Sequence, residues 1–345
     1  MKIGARNIGP DYPPLIVAEI GINHNGDFLR AIDMIAAAAE AGAECVKFQC
    51  HIVDEEMVPN DIIPSNATES IWDMMTRCQF PERGEKELKR FVESLGMIYL
   101  STPFSIAAVE RLERLGVLAY KVGSGELTNR PLLERIAATG KPVIVSTGMH
   151  GLIPTVDRVT ARGEPLCGVD LAALHCVSTY PTRCKEMNLE RLSDLAVIMR
   201  ETEDIVGLSS HCPSIAPSIA AVALGASIIE HHFTTDRTLP GADNCFSLTP
   251  PMLRDLITMS REAWEAMQPC DTSAAQSETA RFAFPSIVTL RAIGAGEVFS
   301  ADNLGLKRPG TGIAAGDLPA MLGKRATCDI PADVMLDPND IGAAP

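Results

Sequence analysis

Residues 226–236 read ASIIEHHFTTD, a short β-branched apolar run that stops abruptly in Glu230, His231 and His232. Runs of the same kind recur upstream, each ending in polar residues: PLIVAEIGIN (14–23), CVKFQ (45–49), MIYLSTPF (97–104), LAYKVGSGE (118–126), PVIVSTGM (142–149), LAALHCVSTYP (171–181) and IVGLSSHC (205–212). With SIIEHHFT (227–234) they make eight predicted strands. Between them lie helix-like segments such as FLRAIDMIAAAAEAGA, SIAAVERLERLG and NRPLLERIAATG, with Gly42, Gly116 and Gly140 placed to stop them. Eight alternating β and α units predict an α/β fold of the (β/α)8 TIM-barrel type. A doubly wound open sheet is the rival, but no G-x-G-x-x-G follows the first strand, and GSG at 123–125 is too short for that fingerprint.

The interval from Cys50 to Gly96 is too long for one βα connection and predicts an extra loop with a short helix near the strand ends. We expect the barrel to occupy residues 1–267, a polar, small-residue-rich linker 268–283, and a small β-rich domain 284–345. A net charge of -14 argues against nucleic acid or an anionic membrane as partner, so any anionic substrate needs a local cluster of cations. The ten cysteines include no C-x-x-C pair and several sit in apolar runs, which suits a reduced, cytoplasmic protein. The N-terminus lacks an apolar signal-peptide core, and the longest uncharged stretch, 212–229, is broken by prolines and serines and does not read as a membrane span.

A barrel carries its chemistry at the C-terminal ends of its strands. Those ends gather Glu19 and Asn23; Lys47 and Gln49; Ser101 and Thr102; Lys121, Ser124 and Glu126; Ser146 and Thr147; Ser178 and Tyr180; Ser209 and His211; Glu230 and His232. Lysines among hydroxyls suit a phosphate or carboxylate, although either lysine could instead form a Schiff base. Strand alternation puts Ile228, Glu230, His232 and Thr234 on one face and His231 on the other. In the seventh strand Gly207, Ser209 and His211 share a face, so His211 and His232 can meet. Two neutral imidazoles with open positions suit Mn²⁺, Fe²⁺, Co²⁺ or Zn²⁺, against the plainer alternative of two satisfied core histidines.

The motifs VAEIGINHNGD (17–27), VKFQ (46–49), STPFS (101–105), KVGSGELTN (121–129), VIVSTGM (143–149), LHCVSTYPT (174–182), GLSSH (207–211) and IIEHHFTTDRTLPGADNCFSL (228–248) together resemble the sialic acid synthase family. The tail KRPGTGI (307–313) with LGKRA (322–326) is similar to that family's antifreeze-like (SAF) domain. The resemblance implies a metal-dependent condensation of phosphoenolpyruvate with N-acetylmannosamine or a related 2-acylamino sugar, giving a nonulosonic acid and phosphate. It implies His211 and His232 as ligands of a divalent metal, Mn²⁺ first, with Mg²⁺ or Co²⁺ as alternatives. It puts Lys47, Thr102, Lys121, Ser124, Ser146, Ser178 and Ser209 at phosphoenolpyruvate. Glu19, Gln49, Glu126, Tyr180 and Asp243 fall at the sugar, with Glu19 or Glu126 handling protons. Arg308 is expected to reach the acyl group from a second copy, in a domain-swapped homodimer. The chain departs from the family pattern at Ser178, at Ser210 (usually Asp), at Asn244 (usually His) and at Phe284–Pro285 (commonly Arg-Arg). A Schiff-base aldolase on the same barrel and a non-catalytic carbohydrate-binding protein are the competing readings.

Overall fold

The computed structural model describes residues 1–150, 161–199 and 204–343. Eight parallel strands form one sheet: β1 Leu15–Gly21, β2 Cys45–Cys50, β3 Ile98–Pro103, β4 Tyr120–Val122, β5 Val143–Ser146, β6 Leu171–Cys176, β7 Ile205–Ser210 and β8 Ile228–His232. The pairing of the last strand with the first, Ile228 opposite Leu15 through His232 opposite Glu19, decides between the two α/β architectures. An open doubly wound sheet leaves those strands apart, whereas a barrel requires them to join. The ladder runs β3-β2-β1-β8-β7-β6-β5-β4, and β3 and β4 lie side by side to complete the ring.

Alternation along each strand sorts the side chains. Leu15, Val17, Leu100, Ile144, Leu174 and Ile228 fill the barrel interior toward the strand N-termini. The hairpin Lys2–Ile3/Arg6–Asn7 adds Ile3 and Ile8 to this cluster and plugs that end. Outward residues such as Ile16, Ala18, Val46 and Ile229 pack against the helices. Helix Phe28–Glu40 shows why those segments are helical. Asp27 caps it by accepting from the Arg30 N–H, and Ala31, Met34, Ile35 and Ala38 form one buried stripe. Gly207 marks where the interior is tightest: a Cβ there would lie 2.4 Å from the Ile228 carbonyl oxygen and 2.5 Å from Leu174 Cδ2.

The expected insertion after β2 contains two short helices, Val53–Glu56 and Ile71–Cys78. Their Val53, Met74, Met75 and Cys78 pack with Ile22 and Ala242 in a separate apolar cluster. The chain divides into two compact units, Met1–Gln268 and Pro269–Pro345. The second has its own core around Ile287, Phe299, Leu304 and Leu336, with antiparallel strands Ser286–Thr289 and Leu304–Lys307. The stretch 268–283, expected as a linker, carries helix Ser273–Ala283, none of whose residues is buried. Its Ala, Gln and Glu content, free of Gly and Pro, favours helix once the turn is nucleated. Among the described residues no helix is long and apolar enough to cross a membrane.

Candidate active site

At the C-terminal end of the barrel the interior changes from apolar to charged. Glu19, Lys47, Thr102, Lys121, Ser146, Ser209 and Glu230 continue the same inward faces that bury Leu15, Leu100 and Ile228 below them. Register brings Glu19 beside Lys47, whose Nζ lies 2.8 Å from Glu19 Oε2 and donates to Thr102 Oγ1 at 3.1 Å. Lys121 Nζ donates to Ser146 Oγ at 2.7 Å and to the Val122 carbonyl at 3.3 Å. Glu230 Oε1 lies 3.7 Å from both lysine Nζ atoms and accepts from Ser209 Oγ at 3.2 Å. Both lysines are almost wholly buried, 3% and 2% exposed. Among the described residues they are the only lysines or arginines lining the cavity above them, whose volume is about 420 Å³.

The charges on this floor hold one another. Burial opposes the ammonium of Lys47, but Glu19 and Glu230 outweigh it and raise its pKa above the ordinary lysine value. Burial dominates at Lys121 and lowers it, with only Glu230 pulling strongly the other way. Glu230 is pushed up by burial but pulled down further by Lys121 and Lys47, so it stays ionised. Glu19 is raised, by burial first and by repulsion from Glu230, against the pull of Lys47.

Above the floor stand the two histidines, with ring centroids 5.3 Å apart. His211 Nδ1 lies 2.9 Å from the Val177 carbonyl, which makes it the N–H donor and leaves Nε2 basic. Among the described residues His232 Nδ1 has no hydrogen-bond partner, and it sits 3.5 Å from Asp243 Oδ2. Burial lowers His211 to about 4 and His232 well below the ordinary imidazole value, so both are neutral, the form that binds metal. Asp243 is pushed up to about 7, by burial and then by Glu19, although Asn66 Nδ2 donates to its Oδ1 at 3.1 Å. Tyr180 packs on His211 at 4.1 Å between ring centroids, and Phe246 on His232 at 5.4 Å. Among the described residues no three His, Cys, Asp or Glu side chains converge as a complete metal site. The residues that could hold a divalent ion here are the two neutral imidazoles of His211 and His232.

The cavity brings together Glu19, Lys47, Gln49, Thr102, Lys121, Ser124, Ser146, Ser178, Tyr180, Ser209, His211, His232 and Asp243. Ser124 and Ser178 crowd Gly148, where a Cβ would lie 2.8 Å and 2.2 Å from their hydroxyls, and the Gly148 N–H donates to Ser124 Oγ at 2.9 Å. Glu126 is not among the lining residues. The strand ends at Val122, and the 3-10 turn Ser124–Thr128 breaks the two-residue alternation, so Glu126 accepts from Asn129 Nδ2 at 2.7 Å instead. Arg308 belongs to the second unit, where it is exposed.

The departures at positions 210 and 244 become intelligible. Ser210 faces away from the interior and accepts the Cys212 N–H at 3.2 Å, while the Val177 carbonyl orients His211 in its place. Asn244 is buried outside the lining, accepting from Thr234 Oγ1 at 2.5 Å and donating to the Pro240 carbonyl at 3.0 Å. Sequence reasoning had placed Glu230 on the inward face without giving it a role, and it missed His51, Glu56 and Asn66 altogether. It also missed the apolar wall of Ile22, Met57, Met74 and Met75.

The model of the NeuB family matches residues 34–271, and that of the SAF domain matches residues 284–342. The chain belongs to the NeuB family. It is 36% identical to N,N'-diacetyllegionaminic acid synthase of Campylobacter jejuni, over 93% of this chain and 98% of that protein. To human N-acetylneuraminate-9-phosphate synthase it is 34% identical, over 74% and 72% of the respective lengths. The solved structure of an N-acetylneuraminic acid synthetase from Leptospira borgpetersenii superposes with a TM-score of 0.70 at 30% identity, covering 81% of this chain and 95% of that one.

Proposed function

We propose that the chain condenses phosphoenolpyruvate with the open-chain aldehyde of a 2-acylamino hexose, N-acetylmannosamine or a diacylamino relative, releasing phosphate and a nonulosonic acid. The observation that carries this reading is the pair of buried ammonium groups, Lys47 and Lys121, ringed by the hydroxyls of Thr102, Ser146 and Ser209 at the cavity floor. Their charge and the surrounding donors suit the phosphate and carboxylate of phosphoenolpyruvate. Gln49, Tyr180 and Asp243, which line the same cavity, are assigned to the sugar.

In the proposed reaction carbon 3 of phosphoenolpyruvate bonds to the aldehyde carbon, and the aldehyde oxygen gains a proton. Water adds at carbon 2 and loses a proton, and C–O cleavage then expels phosphate, which takes the remaining hydroxyl proton as the ketone forms. Glu19, held between Lys47 and Gln49 Nε2 at 3.0 Å, is the carboxylate at the floor suited to receive the proton from water. His211 and His232 would hold a divalent cation, which would supply Lewis-acid polarisation of the aldehyde oxygen. Arg308 contributed by a second copy of the chain, and a homodimer with it, completes the proposal.

The lowered pKa of Lys121 is what a Schiff-base aldolase would also require. Incubation with pyruvate and sodium borohydride separates the two. The condensation reading predicts no increase in protein mass, whereas a reduced pyruvyl adduct on Lys121 would replace it with the aldolase.

A further inference from the structure

His51 and Glu56 lie on the cavity wall, outside the residues to which the condensation assigns a part. They begin an almost fully buried chain of hydrogen bonds. His51 Nδ1 lies 2.8 Å from Glu56 Oε1, and His51 Nε2 lies 3.0 Å from Gln49 Oε1. Gln49 Nε2 then donates to Glu19 Oε1 at 3.0 Å, and Glu19 Oε2 faces Lys47 Nζ at 2.8 Å. The His51 ring is fixed from the side by stacking on Phe104, with centroids 4.6 Å apart and planes 11° from parallel.

Counting donors and acceptors along this chain restricts its protons. An ionised carboxylate and an amide oxygen both only accept, so with Glu56 ionised His51 must present N–H on both sides. A neutral His51 would leave a lone pair facing one of those acceptors. Turning the Gln49 amide over removes that clash only by setting its oxygen against Glu19 Oε1, which then requires Glu19 to carry the proton. Either way the chain Glu56–His51–Gln49–Glu19 holds one proton beyond a neutral histidine and two carboxylates. The close approach of Lys47 to Glu19 favours the carboxylate there and sends the proton to His51. Glu56 is its counter-ion. Glu85, which is paired with Arg111 at 3.0 Å, and His24 also interact electrostatically with His51.

We infer that His51 is a doubly protonated positioning residue, which locks the Gln49 amide in the orientation that keeps Glu19 an aimed carboxylate. This rests on the proposed role of Glu19. His51 touches no reacting atom in it. Its effect passes through Gln49.

The first test is independent of the reaction. In the full-length protein labelled with ¹⁵N-histidine, the resonances lost in His51→Gln identify His51. Both of its ring nitrogens should resonate as N–H nitrogens. One pyridine-type nitrogen would place the proton on Glu56 or Glu19 instead and overturn the assignment. In Glu56→Gln the histidine should become neutral, because the new amide can donate to Nδ1; retention of both N–H signals would also count against the pair. A kinetic test follows once turnover is in hand. His51→Phe keeps the stack on Phe104 but no donor, and should lower kcat by about tenfold or more while the KM for phosphoenolpyruvate stays within about twofold. His51→Gln retains an N–H toward Gln49 and should recover most of that loss. A folded His51→Phe protein, matching the wild type in Tm and in kcat, would refute the positioning role.

Discussion

Glu230 offers the sharpest physical test of the floor. Replacing it by Gln keeps the shape but changes the formal charge of the Lys47, Lys121, Glu19 and Glu230 group from zero to +1. Among the described residues Lys121 has no other carboxylate within 4 Å, whereas Lys47 keeps Glu19 at 2.8 Å. At 3.7 Å and an effective dielectric of about 20, each lost attraction is roughly 4–5 kcal/mol before solvation is counted. Removing one partner of a buried ion pair typically costs about 3–5 kcal/mol, which we take as the net expectation for Glu230→Gln. At roughly 2 °C per kcal/mol, appropriate to a unit of this size, Tm should fall by about 6–10 °C. The variant should also respond more strongly than wild type to an anion. Inorganic phosphate or phosphoenolpyruvate can occupy the space between the lysines and restore the missing negative charge, so the upward Tm shift on adding either should be larger in Glu230→Gln. Differential scanning fluorimetry across a phosphate titration reads both quantities. A variant within about 1 kcal/mol of wild type, with an unchanged response to phosphate, would refute the view that Glu230 is the counter-ion that keeps Lys121 charged.

Three further outcomes are expected. Gly207→Ala should lower stability by about 1–3 kcal/mol or more, because its Cβ would meet the Ile228 carbonyl and Leu174 Cδ2 in a rigid interior; a thermal melt superposing on wild type would contradict the packing. His24, lowered to about 3 by burial and then by the charge of His51, is neutral in the folded state and takes up a proton below about pH 6.5 only on unfolding. Its contribution to stability is therefore lost as pH falls from about 6.5 toward 3, amounting to about 2 kcal/mol at pH 5. His24→Phe, which retains the stack on Phe80, should flatten that fall in urea denaturation at pH 7 and pH 5, and an unchanged difference would count against it. The expected role of Arg308 in acceptor binding predicts that Arg308→Ala raises the KM of the sugar far more than that of phosphoenolpyruvate, and an unchanged sugar KM would remove it from the site.

The parts of this molecule that follow a period could be read from its sequence. Two-residue alternation puts Ile228, Glu230 and His232 inside and His231 outside, while the strand-end rule and the family resemblance bring Lys47, Thr102, Lys121, Ser146 and Ser209 to one cavity, where the structure has them. The same rule failed at Glu126, because a strand read to residue 126 ends at Val122 and a 3-10 turn takes over. Glu230 was visible as an inward carboxylate, but its function depends on lysines more than a hundred residues away, which no local pattern reveals. His51 and Glu56 lie in an irregular connection, five residues apart, and meet only because helix Val53–Glu56 turns back on the strand end. The helix Ser273–Ala283 was hidden by composition: small and polar residues resemble a linker, yet nothing in them stops a helix.

The central claim is tested most directly by measuring inorganic phosphate released from phosphoenolpyruvate, with Mn²⁺ present, as the acceptor is varied between none, N-acetylmannosamine and a 2,4-diacetamido hexose. The account predicts release that depends on one of these sugars, matches the nine-carbon keto acid mole for mole, and stops when EDTA removes the metal. Phosphate release without any sugar, or keto acid formed from pyruvate with no phosphate, would contradict it.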